Sequence, residues 1–167
     1  MSSSDSTLRV VDIVEGTSVD GPGLRTSIYL AGCDHHCPGC HNPQTWAHDA
    51  GHDMTVDEIM RVVHRSGYNV TLTGGDPMYQ ARALMPLVKE IRAAGYTIWC
   101  YTGFTVEELR AMPDTAALLD EIDVLVDGPY IEAQRDTGLL FRGSANQRII
   151  ELRPQPSDGF DVNIEDI

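Results

Sequence analysis

The chain has 167 residues, of which 42% are hydrophobic, and a formal net charge of −13 at pH 7. This length predicts one globular domain that can bury its own core. The acidic balance argues against a nucleic-acid backbone as the main partner, because phosphate binding calls for a basic face. No apolar run approaches the ~20 residues that a membrane-spanning helix needs, so we expect no membrane partner.

Both ends of the chain are polar and are expected to lie outside the domain. Residues 1–7 have neither a basic region nor an apolar core, which argues against a secretory signal. We therefore expect a disordered N-terminal tail and a cytoplasmic protein. Residues 154–167 are acidic and contain proline and glycine, which predicts a mobile tail. The domain itself is expected to span residues 8–153.

Short β-branched or apolar segments alternate with segments of helical periodicity along the domain. The predicted strands cover residues 8–14, 24–30, 68–73, 96–101, 122–126 and 148–152. The predicted helices cover residues 55–65, 83–95, 105–113 and 114–121. The intervening stretch 42–53 is polar, and we expect it to be irregular, with at most one helical turn.

Local signals set the helix boundaries. Thr55 and Thr105 are each followed three residues later by glutamate, which is the spacing of a capping box. Pro86 requires its helix to begin near Ala83, because proline fits only the first turn. Gly95 follows the last residue of that periodic stretch and is expected to close the helix.

Strands that alternate with helices predict an α/β fold with a mostly parallel sheet. A complete eight-fold barrel takes roughly 250 residues, so this chain predicts an open, partial (β/α) barrel. Four polar motifs directly follow predicted strands: residues 33–40, 74–76, 101–103 and 127–128. Because sites in parallel α/β folds lie at the carboxyl ends of the strands, these motifs are expected to share one rim.

Three of the four cysteines lie within eight residues, with the spacing C-x3-C-x2-C at Cys33, Cys37 and Cys40. Closely spaced thiolates suit zinc or iron–sulfur clusters. A cubane cluster normally takes four thiolates, so three would leave one iron open to a small molecule. The alternative is a structural zinc site that takes His36 or His41 as its fourth ligand.

Other polar residues near this loop have ordinary interpretations beside functional ones. The histidines His35, His36 and His41 are expected to be exposed or to pack against a cofactor. Cys100 is predicted to be a buried small hydrophobe within its strand, not a ligand. Residues 74–76 could form a simple turn, since Gly-Gly and Asp-Pro are common in turns. The long segment 130–148 favours a functional role or mobility.

The cysteine spacing directly after a strand is the hallmark of the radical S-adenosylmethionine enzymes, and further motifs narrow the resemblance. They occupy residues 11–14, 20–25, 37–42, 45–46, 73–77, 98–103, 124–128 and 141–147. Together they resemble the activating proteins of the anaerobic (class III) ribonucleoside-triphosphate reductase, over about residues 8–153. Among them, residues 142–144 with Asn146 and Gln147 make the resemblance specific to this family.

The resemblance implies one 4Fe–4S cluster per chain, held by Cys33, Cys37 and Cys40, and S-adenosylmethionine bound to its open iron. The adenine is expected beside the backbone of the loop, and the methionine amino group beside residues 74–76, closest to Gly75. The residues expected to bind this cofactor are Gly39, Cys40, His41, Gly74, Gly75 and Asp76. Residues 130–148 would cover the open end of the site, near the partner.

The resemblance also implies an enzyme that cleaves S-adenosylmethionine reductively and leaves a glycyl radical on the reductase, its partner. A flavodoxin or ferredoxin-type protein is expected to supply the electron, and no catalytic side chain beyond the cofactor ligands is expected. Three alternatives stay open. They are activation of another glycyl-radical enzyme such as pyruvate formate-lyase, a small-molecule reaction of the deazapurine synthase type, and a zinc-binding interaction module without enzymatic activity.

Overall fold

The structure, a computed structural model, describes residues 7–40 and 42–154 of the chain. Its strands are β1 (Thr7–Thr17), β2 (Arg25–Leu30), β3 (His52–Thr55), β4 (Asn69–Gly74), β5 (Ile98–Tyr101), β6 (Val124–Asp127) and β7 (Arg148–Glu151). Its helices are α1 (Val56–Ser66), α2 (Ala81–Ala93), α3 (Val106–Arg110) and α4 (Pro113–Leu119). The tails predicted at residues 1–7 and 154–167 lie, apart from Thr7 and Pro154, outside the described residues.

The seven strands form one open sheet in the order β3-β1-β2-β4-β5-β6-β7. The four central strands β2, β4, β5 and β6 are parallel to one another. The outer strands pair antiparallel: β1 with β2 and β3, and β7 with β6. The prediction of an α/β fold is confirmed, and the parallel arrangement holds for the central strands that carry the polar motifs.

The two faces of the sheet differ in what covers them. Alternate strand residues such as Ile28, Leu72 and Ile98 are fully buried in one core cluster with apolar residues of all four helices. The residues between them point to the other face, which we call the open face; Trp99, Val124 and Val126 form a second small cluster there. No described helix contributes to that second cluster. The helices therefore cover one face of the sheet, and loops cover the other.

The helix ends agree with the predicted capping signals, with one difference. The Thr105 side chain accepts from Glu108 N and the Glu108 side chain accepts from the Thr105 backbone, so α3 has a complete capping box. Thr55 accepts from Glu58 N, but the Glu58 carboxylate contacts the Thr55 hydroxyl and not its backbone N–H. Gly95 follows α2 with φ +93°, as a closing glycine should.

Two predictions about secondary structure were wrong. Strand β3 begins within the stretch 42–53 that was predicted to be irregular. It has four residues, and its pattern is polar because it pairs only with β1 at one edge of the sheet. Helix α2 begins at Ala81, so Pro86 lies in its second turn. A 3-10 turn, Pro77–Gln80, runs directly into α2, and this continuation extends the helix ahead of the proline. None of the described helices combines the length and apolarity needed to cross a membrane.

Candidate functional site

The cysteine loop leaves β2 between two neighbouring segments that hold its backbone. On one side, Gly32 N donates to Thr45 O at 2.8 Å and Cys33 N donates to Trp46 O at 3.0 Å. On the other side, Asp76 N donates to Gly32 O at 2.7 Å. Gly32 is thus held by backbone on both sides, and the first cysteine directly follows it with one backbone bond of its own.

The three loop cysteines line one cavity of about 120 Å³, and all of them are free thiols. Burial raises the pKa of the Cys33 thiol to about 11. No three described His, Cys, Asp or Glu side chains converge closely enough to hold a single metal ion. His41, an expected cofactor contact and one possible zinc ligand, lies outside the described residues.

The same cavity brings together the ends of four parallel strands. Besides the cysteines, its walls are Thr73, Gly74 and Gly75 at the end of β4, Tyr101, Thr102 and Gly103 at the end of β5, Gly128 directly after β6, and His35, Trp46, Tyr130 and Gln147. The polar motifs predicted to share one rim thus do line one cavity. Of the expected cofactor contacts, Cys40, Gly74 and Gly75 are in its wall, whereas Gly39 and Asp76 are not.

Asp76 is fully buried, and its carboxylate faces neighbouring loops and not the cavity. Its Oδ2 accepts from Thr102 Oγ1 at 3.0 Å and from Gly103 N at 2.9 Å, and it lies 2.8 Å from His35 Nε2. Its Oδ1 accepts from Met78 N at 3.1 Å. With both oxygens engaged, this carboxylate organises the loops around the cavity. The sequence did not indicate the pair with His35, which joins residues 41 positions apart.

Each described histidine of the cysteine loop is held by a different partner. The hydrogen bond to Asp76 raises the pKa of His35. His36, whose φ is +48°, stacks on Trp46 with ring centroids 4.6 Å apart. Asp34, between the first cysteine and His35, pairs with His48 at 2.8 Å on the exposed side of the loop. His36 is exposed, as expected, whereas His35 is half-buried and bonded to a carboxylate, which the sequence did not indicate.

A second cavity, of about 380 Å³, lies on the open face and shares Cys40, Thr73, Tyr101, Tyr130 and Gln147 with the first. It therefore adjoins the cysteine loop and is the wider approach to it.

Asp20, from the turn before β2, lines this second cavity and accepts from Ser27 Oγ at 2.9 Å and Tyr29 Oη at 3.3 Å. Burial, together with Asp20, raises the pKa of Tyr29 to about 12. Asp20 lies between the predicted strands 8–14 and 24–30, and nothing in the local sequence indicates that its side chain faces a cavity. The only signal was the presence of residues 20–25 among the family motifs.

The long segment 128–147 folds over the cysteine loop. Tyr130 Oη donates to Glu132 Oε2 at 2.7 Å, and a Cβ added to Gly39 would collide with the Glu132 carboxylate. Asn146 Nδ2 donates to Pro129 O at 2.8 Å, and Gln147 Nε2 donates to Gly128 O at 3.1 Å. These amides, expected to face a partner, bind the segment to itself and shape the cover of the site.

Asp127 ends β6 and is also fully buried, but it points away from both cavities. Arg148 contacts it with two nitrogens, Nε at 2.9 Å and Nη2 at 2.5 Å, and Val106 N donates to it at 2.8 Å. Arg148 also donates to Glu107 at 2.8 Å, which lowers the pKa of Glu107 to about 2. This network joins β6, β7 and α3.

Comparison with known proteins agrees with this arrangement. The protein family described as "4Fe-4S single cluster domain" matches residues 19–150. The protein named anaerobic ribonucleoside-triphosphate reductase-activating protein is 36% identical in Salmonella typhimurium and 37% in Escherichia coli K12, each over 147 residues, 81% of this chain and 93% of the relative. In Vibrio cholerae it is 41% identical over 143 residues, 78% of this chain and 90% of the relative.

Among solved structures, QueE from Escherichia coli is similar, with a TM-score of 0.51 over 59% of this chain and 53% of that chain. At 21% identity, this likeness concerns the fold alone. The match to the iron–sulfur family covers all three loop cysteines and most of the described chain. Together with relatives that align over nearly their whole length, it shows that the chain belongs to the family of anaerobic ribonucleoside-triphosphate reductase-activating proteins, which carry an iron–sulfur domain.

Proposed function

We propose that this protein holds a 4Fe–4S cluster, binds S-adenosylmethionine and generates a glycyl radical on an anaerobic ribonucleoside-triphosphate reductase. The observation that carries the proposal is the loop of three free cysteines at a cavity where four strand ends meet. Cys33, Cys37 and Cys40 would hold the cluster and leave one iron for the cofactor. The reductase is proposed as the substrate because the relatives are named as its activating proteins.

The strand end at Gly74 and Gly75 supports the expected site for the methionine amino group. A Cβ on Gly74 would lie 2.5 Å from Leu30 O, and a Cβ on Gly75 would lie 2.6 Å from Gly32 O. Both positions thus require glycine, and the cavity wall there consists of backbone, whose carbonyls can accept from an ammonium group. Asp76 would contribute through the loops that it joins.

The adenine is expected beside the backbone of Gly39, Cys40 and His41. Gly39 has φ +78°, and Tyr130 and Glu132 of the covering segment lie directly against it. A side chain at this position would push the cover away from the loop. Glycine at residue 39 thus keeps the loop backbone and the cover in contact, next to Cys40 in the cavity wall.

When bound, the cluster and S-adenosylmethionine supply a 5′-deoxyadenosyl radical that removes a hydrogen atom from a glycine. The chain's own residues hold the cofactor and keep water away from the reacting carbon. Because a hydrogen atom carries its proton and electron together, the step requires no general acid or base.

A glycine within another protein needs a wide entrance, which a partial barrel provides. Three features support such a shape: an open sheet, helices on only one of its faces, and a likeness of fold to QueE. The second cavity on the open face adjoins Cys40, and the reductase segment would enter there. A flavodoxin or ferredoxin-type donor is proposed for the electron, and a reducing cytoplasm suits four free thiols.

An anaerobic assay tests this proposal. The protein is reconstituted with iron and sulfide, reduced and given S-adenosylmethionine, and 5′-deoxyadenosine is measured. We expect brown protein and product, both lost in Cys37→Ala. Cys100→Ala is the matched control, because Cys100 is buried in β5 and outside both cavities, and it should keep both properties.

Addition of the reductase should then give the electron paramagnetic resonance signal of a glycyl radical. Colourless protein with bound zinc and no product would contradict the proposal of an enzyme and would support a zinc-binding interaction module. Formation of 5′-deoxyadenosine without a radical on the reductase would support the proposed cleavage of S-adenosylmethionine but contradict the reductase as partner. In that case, another glycyl-radical enzyme or a small deazapurine precursor would be assayed.

A further inference from the structure

We propose that His35 is a positioning residue whose hydrogen bond to Asp76 fixes the cysteine loop against the strand end that receives S-adenosylmethionine. This inference rests on the proposed function, since it concerns the same cofactor. His35 lies between the first two loop cysteines. Its backbone N–H hydrogen-bonds the Cys33 thiol. Its side chain instead contacts Asp76, so the effect of the side chain would be exerted through that carboxylate.

The carboxylate of Asp76 connects three loops at one atom. Its Oδ2 lies 2.8 Å from His35 Nε2 in the loop after β2, and it accepts from Thr102 Oγ1 and Gly103 N in the loop after β5. Asp76 itself belongs to the loop after β4. The Asp76 side chain is 1% exposed and the His35 side chain 18%, so water competes little for this contact. Hydrogen bonds to a charged group are stronger than neutral ones.

Packing restricts the His35 ring to this position. Its edge meets Phe104 with ring centroids 4.5 Å apart and an interplanar angle of 72°. On another side, a Cβ added to Gly103 would lie 2.6 Å from His35 Cδ2, so the absence of a side chain at residue 103 makes room for the ring. The space next to Phe104 and Gly103 therefore fits the His35 ring and leaves its Nε2 facing Asp76.

Asp76 holds the cysteine loop at two points. Its backbone N donates to Gly32 O at 2.7 Å at the start of the loop, and its carboxylate holds His35 within the loop. Loss of the His35 bond would leave only the first anchor. The distance between the cysteine loop and residues 74–75 would then no longer be fixed. A ligand that binds to both would bind more weakly, because small misplacements of binding groups are costly.

The other described histidines near the loop do not make this connection. His36 stacks on Trp46 and is exposed, and the pair between His48 and Asp34 is more than half exposed on both sides. Exposed pairs of this kind contribute little, because water competes for both partners. This difference provides a control within the same loop.

Two variants separate the hydrogen bond from the packing. His35→Phe keeps a ring against Phe104 but removes the donor, whereas His35→Gln loses the ring but places an amide N–H near Asp76. The control is His36→Asn, because asparagine accepts a left-handed backbone. Each protein is reconstituted and its iron is counted. The dissociation constant of S-adenosylmethionine and its effect on the electron paramagnetic resonance spectrum of the reduced cluster are then measured.

We expect equal iron content in all variants. The dissociation constant of S-adenosylmethionine should rise roughly tenfold or more in His35→Phe, because a hydrogen bond to a charged group is lost. The cofactor should also change the spectrum of the reduced cluster less than it does in the parent protein. His35→Gln should restore most of the affinity, and His36→Asn should match the parent protein. Equal affinities in His35→Phe and the parent, or equal losses in His35→Phe and His35→Gln, would overturn the inference.

Hydrogen exchange in the metal-free proteins gives a test that does not need the cofactor. The hydrogen-bonded amides of Cys33, Cys40 and Asp76 should exchange at least roughly tenfold faster in His35→Phe than in His36→Asn, because His35→Phe removes a hydrogen bond to a charged group that anchors the loop. Unchanged exchange would contradict the inference. If the parent protein fails to bind S-adenosylmethionine but the exchange result holds, the proposed function fails while the anchoring role stands. If His35→Phe does not fold, Thr102→Val removes a donor to the same oxygen and takes its place.

Discussion

Two buried aspartates near the ends of parallel strands make a useful comparison. The Asp76 cluster consists of Asp76, His35, Met78, Thr102 and Gly103, and the Asp127 cluster of Asp127, Val106, Glu107 and Arg148. Both aspartates are 0% exposed. The first accepts from loop donors around the cysteine cavity, and the second pairs with a guanidinium on β7 and the first amide of α3. At the carboxyl ends of parallel strands, an aspartate thus organises the site in one case and the scaffold in the other.

The largest effect is expected from Asp76→Ala. This change leaves the buried N–H groups of Met78 and Gly103 without an acceptor and frees His35. We expect the free energy of unfolding to fall by about 3–5 kcal/mol, with loss of S-adenosylmethionine binding. Urea unfolding of the metal-free protein and binding to the reconstituted protein measure the two effects. If Asp76→Ala bound S-adenosylmethionine as tightly as the parent protein, the Asp76 cluster would have no role in cofactor binding.

Asp127→Ala should affect stability alone. Arg148 is about half exposed and can be hydrated when its partner is lost, whereas Val106 N loses its acceptor. We expect the free energy of unfolding to fall by about 2–3 kcal/mol, with the dissociation constant of S-adenosylmethionine unchanged. The same two measurements apply. A weakened cofactor affinity equal to that of Asp76→Ala would show that the clusters do not have separate roles.

A pair of glycine variants sharpens the comparison without touching either carboxylate. Gly103→Ala places a methyl group 2.6 Å from the His35 ring, so we expect a loss of about 1–2 kcal/mol in stability and weaker cofactor binding. Gly95→Ala, remote from both cavities, meets nothing within 4 Å, but its φ of +93° strains any side chain. It should cost about 1 kcal/mol with no change in binding. Thermal unfolding and equilibrium dialysis distinguish these results.

The smallest effect concerns acid and the Asp127 cluster. The pKa of Glu107 in the folded protein is about 2, below its ordinary value of 4.5, because Arg148 donates to it. A lowered folded pKa gives stability that is present above pH 4.5 and is lost as the pH falls from 4.5 towards 2. Glu107→Gln should therefore flatten the pH dependence of unfolding of the metal-free protein over that interval. An unchanged acid profile would exclude this contribution.

Most of the architecture could be predicted from the sequence because strand and helix periodicities are local. Strand β3 escaped prediction because four residues with two exposed polar side chains carry no alternating apolar signal. The start of α2 was misplaced because the preceding 3-10 turn feeds the helix ahead of Pro86. Pairing with a distant strand therefore decides the first case, and the conformation of the preceding residues decides the second.

The site could be located from the sequence but not detailed. The rule that polar motifs gather at the carboxyl ends of parallel strands found the rim, since direction and strand order follow from the α/β pattern. It could not give the orientation of Asp76 or Asp127, because their partners lie as far as 41 and 21 positions along the chain. Nor could it show that Asn146 and Gln147 bind their own segment.

The margins of the sheet affect how the protein can meet its partner. The two outermost strands, β3 and β7, span only four residues each, and they expose His52 and Asp53 on one edge and Arg148 and Glu151 on the other. Short, charged edges resist the addition of a strand from another chain. We therefore expect a partner to be recognised without β-augmentation. Loss of the metal should likewise not cause the protein to polymerise through its sheet.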